Sequence, residues 1–204
     1  MNHIIVTGTG TNVGKTVFAA GLTVTLNATY WKPVQSGLAD GTDSDRVREL
    51  GVRRALPEAY RLNAPLSPHR AAELDGVAID PARLVLPDVS GPLIIEGAGG
   101  VLVPVTRKLL FADLFARWQA PVVLVAGTGL GVINHALLSI EALRARSVPI
   151  LGVAFIGTAH ADDEEVIAEV GNIRNLGRLP RLNPLNAESL ASAFARHFNP
   201  EDFR

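Results

Sequence analysis

The sequence predicts an α/β fold in which a mostly parallel central sheet is flanked by helices on both faces. Three observations carry that expectation. Ile4-Ile5-Val6 runs directly into the glycine-rich stretch Thr7-Gly8-Thr9-Gly10-Thr11-Asn12-Val13-Gly14-Lys15-Thr16, and this runs into the apolar helical stretch Val17-Phe18-Ala19-Ala20. Leu93-Ile94-Ile95, Pro121 to Ala126 and Ile150 to Ile156 are continuously apolar, as strands buried on both faces must be. Strand, loop and helix then alternate along the chain, an order that builds a parallel sheet and sets ligands at the strands' carboxyl ends.

Composition narrows the function classes. At 204 residues with 48% hydrophobic content the chain suits one domain, residues 1–204, with a real core. A net charge of −1 offers no basic footprint for nucleic acid and no polybasic membrane patch. The absence of cysteine excludes disulfides, thiol nucleophiles and thiolate metal sites. The first strand begins almost at Met1, which leaves no room for a signal segment, and no apolar run is long enough to span a bilayer. The expectation is a cytoplasmic protein.

The elements follow in order. The loop after the first strand aims backbone N–H groups at one point, and the next helix adds the positive end of its dipole, so phosphate is its natural guest. Lys15 supplies a cation for the outer phosphates and the Thr16 hydroxyl a ligand for Mg²⁺. The loop is a variant P-loop: Gly8 and Gly14 enclose five residues where the general pattern has four. Thr29-Tyr30-Trp31 reads as a second strand, ending at Lys32-Pro33-Val34-Gln35-Ser36-Gly37. Lys32 is either a solvated lysine before a turn or, on the phosphate edge of the sheet, a group available for chemistry. The acidic segment 38–45 leads into a helix over Arg46 to Leu50, capped by Asp43 or Ser44. Residues 51–92, broken by six prolines, are the least readable.

Leu93-Ile94-Ile95 ends in Glu96-Gly97-Ala98-Gly99-Gly100. A carboxylate at that strand end, beside a phosphate loop, is where a nucleotide enzyme holds Mg²⁺, and the glycines let backbone N–H groups approach the transferred phosphate. The strand over 121–126 is followed by Gly127-Thr128-Gly129-Leu130-Gly131-Val132-Ile133-Asn134-His135, the start of a helix and a second anion site by the same physics. Asn134 and His135 could equally cap and pack there. Ile150 to Ile156 is a strand, Asp162 to Val170 a helix, Leu176 to Pro180 a last strand and turn, and Ala187 to Phe198 the closing helix.

Taken together, the long loop Gly8…Gly14-Lys15-Thr16, Lys32-Pro33-Val34-Gln35-Ser36-Gly37, Ser44-Asp45 and Glu96-Gly97-Ala98-Gly99-Gly100 resemble the dethiobiotin synthetase family of P-loop NTPases. Ser67-Pro68-His69, Phe111-Ala112-Asp113 and Leu130-Gly131-Val132-Ile133-Asn134-His135 extend the resemblance, which runs from residue 3 to about residue 157 and weakens beyond. It implies closure of 7,8-diaminopelargonic acid to a cyclic urea with CO2 and Mg-ATP, through a carbamate and a carbamic–phosphoric anhydride, in a homodimer. It implies Lys32, Lys15 and Ser36 as catalytic residues, and Thr16, Asp45 and Glu96 as Mg²⁺ ligands. Thr11, Asn12, Val13, Gly14, Lys15, Thr16 and Val17, with Glu96, Gly97, Ala98, Gly99 and Gly100, would bind the nucleotide. Lys32, Ser36, Gly131, Val132, Ile133 and Asn134 would bind the diamine, the helix start taking its carboxylate.

Two departures stand out. Where several family members carry an Asn-Asp pair that reads the adenine edge, this chain has Ile156-Gly157, so weak discrimination between ATP and other nucleoside triphosphates is expected. The tyrosine that some relatives use near the substrate carboxylate is absent after residue 160. Two related readings compete. A partitioning or septum-positioning switch ATPase usually has a lysine early in the loop, where Gly10 stands here. An amidoligase of the cobyrinic acid diamide type needs a glutaminase cysteine, which this chain lacks.

Overall fold

The computed structural model describes residues 3–203. Ten strands are described: β1 (His3–Gly8), β2 (Thr29–Trp31), β3 (Val34–Ser36), β4 (Tyr60–Leu62), β5 (Leu93–Gly100), β6 (Pro104–Thr106), β7 (Leu109–Leu110), β8 (Val122–Gly127), β9 (Ile150–Ile156) and β10 (Asn175–Leu179). Seven α-helices lie between and after them: α1 (Lys15–Thr25), α2 (Asp43–Glu49), α3 (Pro68–Leu74), α4 (Phe111–Trp118), α5 (Val132–Arg144), α6 (Ala161–Val170) and α7 (Ala187–His197). Six strands form the central sheet in the order β10-β9-β8-β1-β5-β2, and every neighbouring pair is parallel. The expected architecture is thus the observed one, with a wholly parallel central sheet. Two small sheets, β3-β4 and β6-β7, stand beside it.

The apolar runs are buried on both faces because a core lies on each side. On one side Phe18 packs with Phe194, Phe198 and Phe203, which seals α1 and α7 against Ile4, Val6 and Ile94. On the other, Phe111, Phe115 and Leu114 of α4, with Ala136 and Ile140 of α5, cover Ile5, Ile95 and Leu124. Alternate residues of one strand therefore enter different cores, as the two-residue period requires. Among the described residues no helix is long and apolar enough to cross a membrane.

Two expectations are corrected. The run Gly97-Ala98-Gly99-Gly100, read as following the end of the strand Leu93-Ile94-Ile95, is its continuation, with Gly8 paired to Gly100 across a register shift. Small residues are needed in this run: a Cβ on Gly99, which also takes φ 66°, would lie 2.7 Å from Val103 Cγ2, and one on Gly97 would lie 3.1 Å from Phe115 Cζ. Helix α2 starts at Asp43, not Arg46, and its cap is Thr42, not Asp43 or Ser44. Thr42 Oγ1 accepts from the Asp45 N–H while the Asp45 carboxylate receives the Thr42 N–H, a reciprocal capping box.

Candidate active site

The carboxyl ends of β1, β2 and β5 converge on Glu96. Tyr30 of β2 pairs with Ile94 of β5, so Glu96, two residues on, projects from the same face as Ile94. Tyr30 and Lys32, also two apart, both reach it. Glu96 Oε1 accepts from the Thr16 hydroxyl at 2.9 Å and from Lys32 Nζ at 2.8 Å, and Oε2 accepts from the Tyr30 hydroxyl at 2.8 Å. The residue is 1% exposed, so this is a buried charge whose two oxygens are both hydrogen-bonded.

Lys32 is equally enclosed, at 4% exposed, and its ammonium also touches Asp43 Oδ2 at 2.5 Å. Burial alone would lower its pKa, but Glu96 and Asp43 outweigh burial and raise it, so the ammonium stays charged. Gln35 fixes Asp43, because its side-chain oxygen accepts from the Asp43 N–H at 3.1 Å. Asp45, expected among the metal ligands, is not brought to this cluster. Its carboxylate is spent on the Thr42 cap and on Arg48 at 3.2 Å, and it is Asp43 that stands beside Lys32. The reason is helical phase: the capping box turns the third helical residue back toward Thr42.

Gly14 caps α1 at φ 93°, the left-handed region, and a Cβ there would also lie 2.7 Å from Ile156 Cδ1. Asn12 takes φ 60° in the same loop. Lys15, 6% exposed, folds back over the loop and donates to the Gly10 carbonyl at 2.6 Å. Desolvation lowers its pKa to about 8, and the Lys32 charge pushes the same way while Glu96 and Asp43 oppose. With this pKa Lys15 would lose its proton above about pH 8, and an anionic phosphate placed beside it would favour the charged form. ATP binding is expected to take up close to one proton at about pH 9 and to weaken as the pH rises through that range. Calorimetric titration in two buffers of different ionisation enthalpy measures the uptake; no uptake at that pH would place Lys15 off the phosphates.

Ser36 closes β3 with its hydroxyl buried and unpartnered. Thr11 and Gly99 lie side by side, a Cβ on Gly99 falling 3.7 Å from Thr11 Oγ1. Val13 packs onto Gly8 and Gly127, while Thr11 and Asn12 are exposed at the loop's tip. A cavity of about 450 Å³ opens beside Thr9, Gly10 and Thr11. Its other walls include Val101, Leu102, Val103, Leu138, His135 and Ser139. Gly131 to Asn134, expected to bind substrate, are not in its lining; Val132 is in the core, and the next turn of α5 faces the cavity instead. Sequence reasoning did not single out Tyr30, Gln35, Leu138 or Ser139, and read Asp43 only as a cap.

The donor set suits a hard divalent cation. Thr16 and Glu96 present oxygens 2.9 Å apart beside the phosphate loop, and hydroxyl and carboxylate oxygens are the ligands Mg²⁺ takes alongside phosphates. Lys15 and Lys32, both buried and near enough for their charges to interact, stand with the glycine-lined backbone beside this pair. Such an arrangement can neutralise and align a phosphoryl group in flight.

The family described as an AAA domain matches residues 2–189. The ATP-dependent dethiobiotin synthetase BioD of Rhodopseudomonas palustris (strain TIE-1) is 61% identical over 98% of this chain and 96% of its own. That of Novosphingobium aromaticivorans is 61% identical over the whole of both. Among solved structures, the MinC:MinD cell division complex of Aquifex aeolicus matches with TM-score 0.55 at 10% identity, covering 96% of this chain and 95% of that one. The cell division ATPase MinD of Pyrococcus furiosus matches at 0.53 and 14%, covering 96% and 99%. At such identities the structural likeness speaks for the fold alone.

Proposed function

This chain belongs to the dethiobiotin synthetase family, and from that membership we propose that the cluster around Glu96 carries the ATP-dependent closure of 7,8-diaminopelargonic acid with CO2 to dethiobiotin. The observation that supports this most is the meeting of Lys32, Thr16 and Tyr30 on one buried carboxylate next to the phosphate loop. A switch ATPase needs the loop; it has no evident use for a second buried lysine supplied by another strand end.

The chemistry divides among the residues as follows. One amine of the diamine adds to CO2 and loses a proton, giving a carbamate. A carbamate oxygen attacks the γ-phosphorus in line and ADP departs, leaving a carbamic–phosphoric anhydride. The second amine then attacks the carbonyl carbon and loses a proton, the C–O bond to phosphate breaks so that phosphate leaves, and the ring closes. The first transfer brings two anions together, so the task is charge neutralisation and positioning. The phosphate loop, Thr11 to Val17, cradles the triphosphate, with Lys15 on its outer phosphates. Lys32 holds the carbamate oxygen against the γ-phosphorus, and Ser36 gives its unpartnered hydroxyl to the carbamate or phosphate. Backbone N–H groups near Gly99 and Gly100 meet the transferred group. Thr16 and Glu96, with Asp43 the nearest aspartate, would hold Mg²⁺, which supplies charge neutralisation at the phosphates.

The cavity between the phosphate loop and α5 takes the diamine's hydrocarbon chain, its apolar walls suiting methylene groups. Leu102 and Leu138 of its lining are exposed at 49% and 55%, and Leu130, two residues before α5, at 111%, which supports a homodimer closing over that end and bringing the start of a partner's α5 to the substrate carboxylate. We place the enzyme in the cytoplasm with its small-molecule substrates. The direct test is phosphate release. It is expected only when diaminopelargonate and bicarbonate are both present with Mg-ATP, and release independent of the diamine would favour the switch reading.

Base selectivity gives a further prediction. Ile156 packs against Gly14, and its apolar side chain cannot hydrogen-bond a base edge. Sites that hydrogen-bond a group reject its absence by about 10⁴-fold, whereas apolar contacts discriminate by roughly 10–200-fold. The kcat/KM for ATP is expected within about tenfold of those for CTP and GTP. A steady-state comparison showing a preference above about a thousandfold would mean that other groups read the base.

A further inference from the structure

We propose that Tyr30 is a positioning residue for Glu96: its buried hydroxyl pins one carboxylate oxygen so that the other alone faces Thr16, Lys32 and a bound cation. The inference rests on the reading of Glu96 as a cation ligand given above. Tyr30 sits in the three-residue strand β2, wholly enclosed among Phe18, Ile94 and Val47 of one core. That position asks only for a ring. A phenylalanine would fill it, whereas a tyrosine brings a hydroxyl that is costly to bury without a partner. The partner here is Glu96 Oε2, and among the described residues no other donor meets that oxygen.

The division of labour is chemical. Oε1 receives a hydroxyl and an ammonium, both groups with work elsewhere: Thr16 beside a cation and Lys32 toward the carbamate. Oε2 receives a neutral donor locked in the core. When Lys32 turns to its substrate, Glu96 loses a charged partner, and a free carboxylate would rotate. The Tyr30 hydroxyl holds it without adding positive charge, so the carboxylate keeps its attraction for the cation. Groups of this kind, which orient a ligand without touching the metal, typically change metal affinity by about 10–100-fold when removed.

The test reads cation binding. Mn²⁺ affinity is titrated by electron paramagnetic resonance on the full-length protein with a non-hydrolysable ATP analogue, for wild type, Tyr30→Phe, Glu96→Gln and the double variant. Tyr30→Phe is expected to weaken Mn²⁺ binding about tenfold and to leave metal-free binding of the analogue within about twofold. In the Glu96→Gln background the same change should add nothing. Mn²⁺ affinity within twofold of wild type in a folded Tyr30→Phe protein, or an equal loss in the Glu96→Gln background, overturns the positioning role. Wild-type Mn²⁺ affinity in Glu96→Gln alone overturns the reading of Glu96 as a ligand, and this inference with it. Should Tyr30→Phe not fold, Tyr30→Met carries the same comparison.

Discussion

Replacing Lys32 by methionine is expected to slow ring closure about a thousandfold, roughly 4 kcal/mol of barrier, while ATP affinity stays within about threefold. The separation follows from what Lys32 touches. Its ammonium contacts Glu96, Asp43 and the Gly97 carbonyl, and none of the loop from Gly8 to Thr16. Nucleotide binding is therefore left to the loop. In the proposed chemistry Lys32 enters only when the carbamate and the γ-phosphate, both anionic, must approach. An interaction made at that stage lowers kcat without greatly changing ground-state binding. Methionine keeps the length of the stem, so the loss reports the charge. Dethiobiotin formation by chromatography and ATP binding by calorimetry give the two numbers. Ring closure within tenfold of wild type, or loss of nucleotide binding as the sole effect, would remove Lys32 from the chemistry.

Replacing Glu96 by alanine is expected to be the most damaging change to stability at the site, costing about 3–5 kcal/mol. A buried pair is poor evidence for net stabilisation, yet removing one partner strands the other. Here the groups left behind are a phenol fully enclosed and an ammonium 4% exposed that keeps Asp43 but loses its buried carboxylate. For a chain of this length that corresponds to a fall in Tm of roughly 6–20 °C. Made in a Lys32→Met background, the same change should cost at least about 1 kcal/mol less, since the ammonium is no longer there to strand. Thermal melts of the four proteins make the comparison. Equal losses in both backgrounds would show that Lys32 and Glu96 do not act as a pair.

Much of this site is legible in the sequence because its physics is local. A glycine-rich turn between an apolar strand and a helix makes a phosphate site whatever surrounds it, and Lys15 and Thr16 have fixed offsets from it. Glu96 is legible because a carboxylate closing a buried apolar run has few other reasons to be there. Lys32 is ambiguous in sequence, and only the parallel pairing of β2 with β5 makes it a buried cation.

Other features depend on tertiary placement. Tyr30, between Thr29 and Trp31, reads as one more strand aromatic, and nothing local says that its hydroxyl meets a residue 66 positions away. Asp43 and Asp45 are equally plausible ligands by type. The choice between them turns on Thr42, whose cap pulls Asp45 back and leaves Asp43 beside Lys32. The strand character of residues 97–100 is hidden because glycine is a poor strand former, and it is overridden by pairing with Gly8. Strands β3, β4, β6 and β7 have two or three residues each, too short for any period to show.

The account's central claim is that a carbamate oxygen, not water, attacks the γ-phosphorus between Lys15 and Lys32. Turnover with oxygen-18-labelled CO2 in unlabelled water tests it, with the phosphate analysed by mass spectrometry before label exchanges from the CO2 pool. The account predicts one labelled oxygen in each phosphate released, carried from the carbamate through the anhydride. Unlabelled phosphate, formed at the same rate as dethiobiotin, would contradict it.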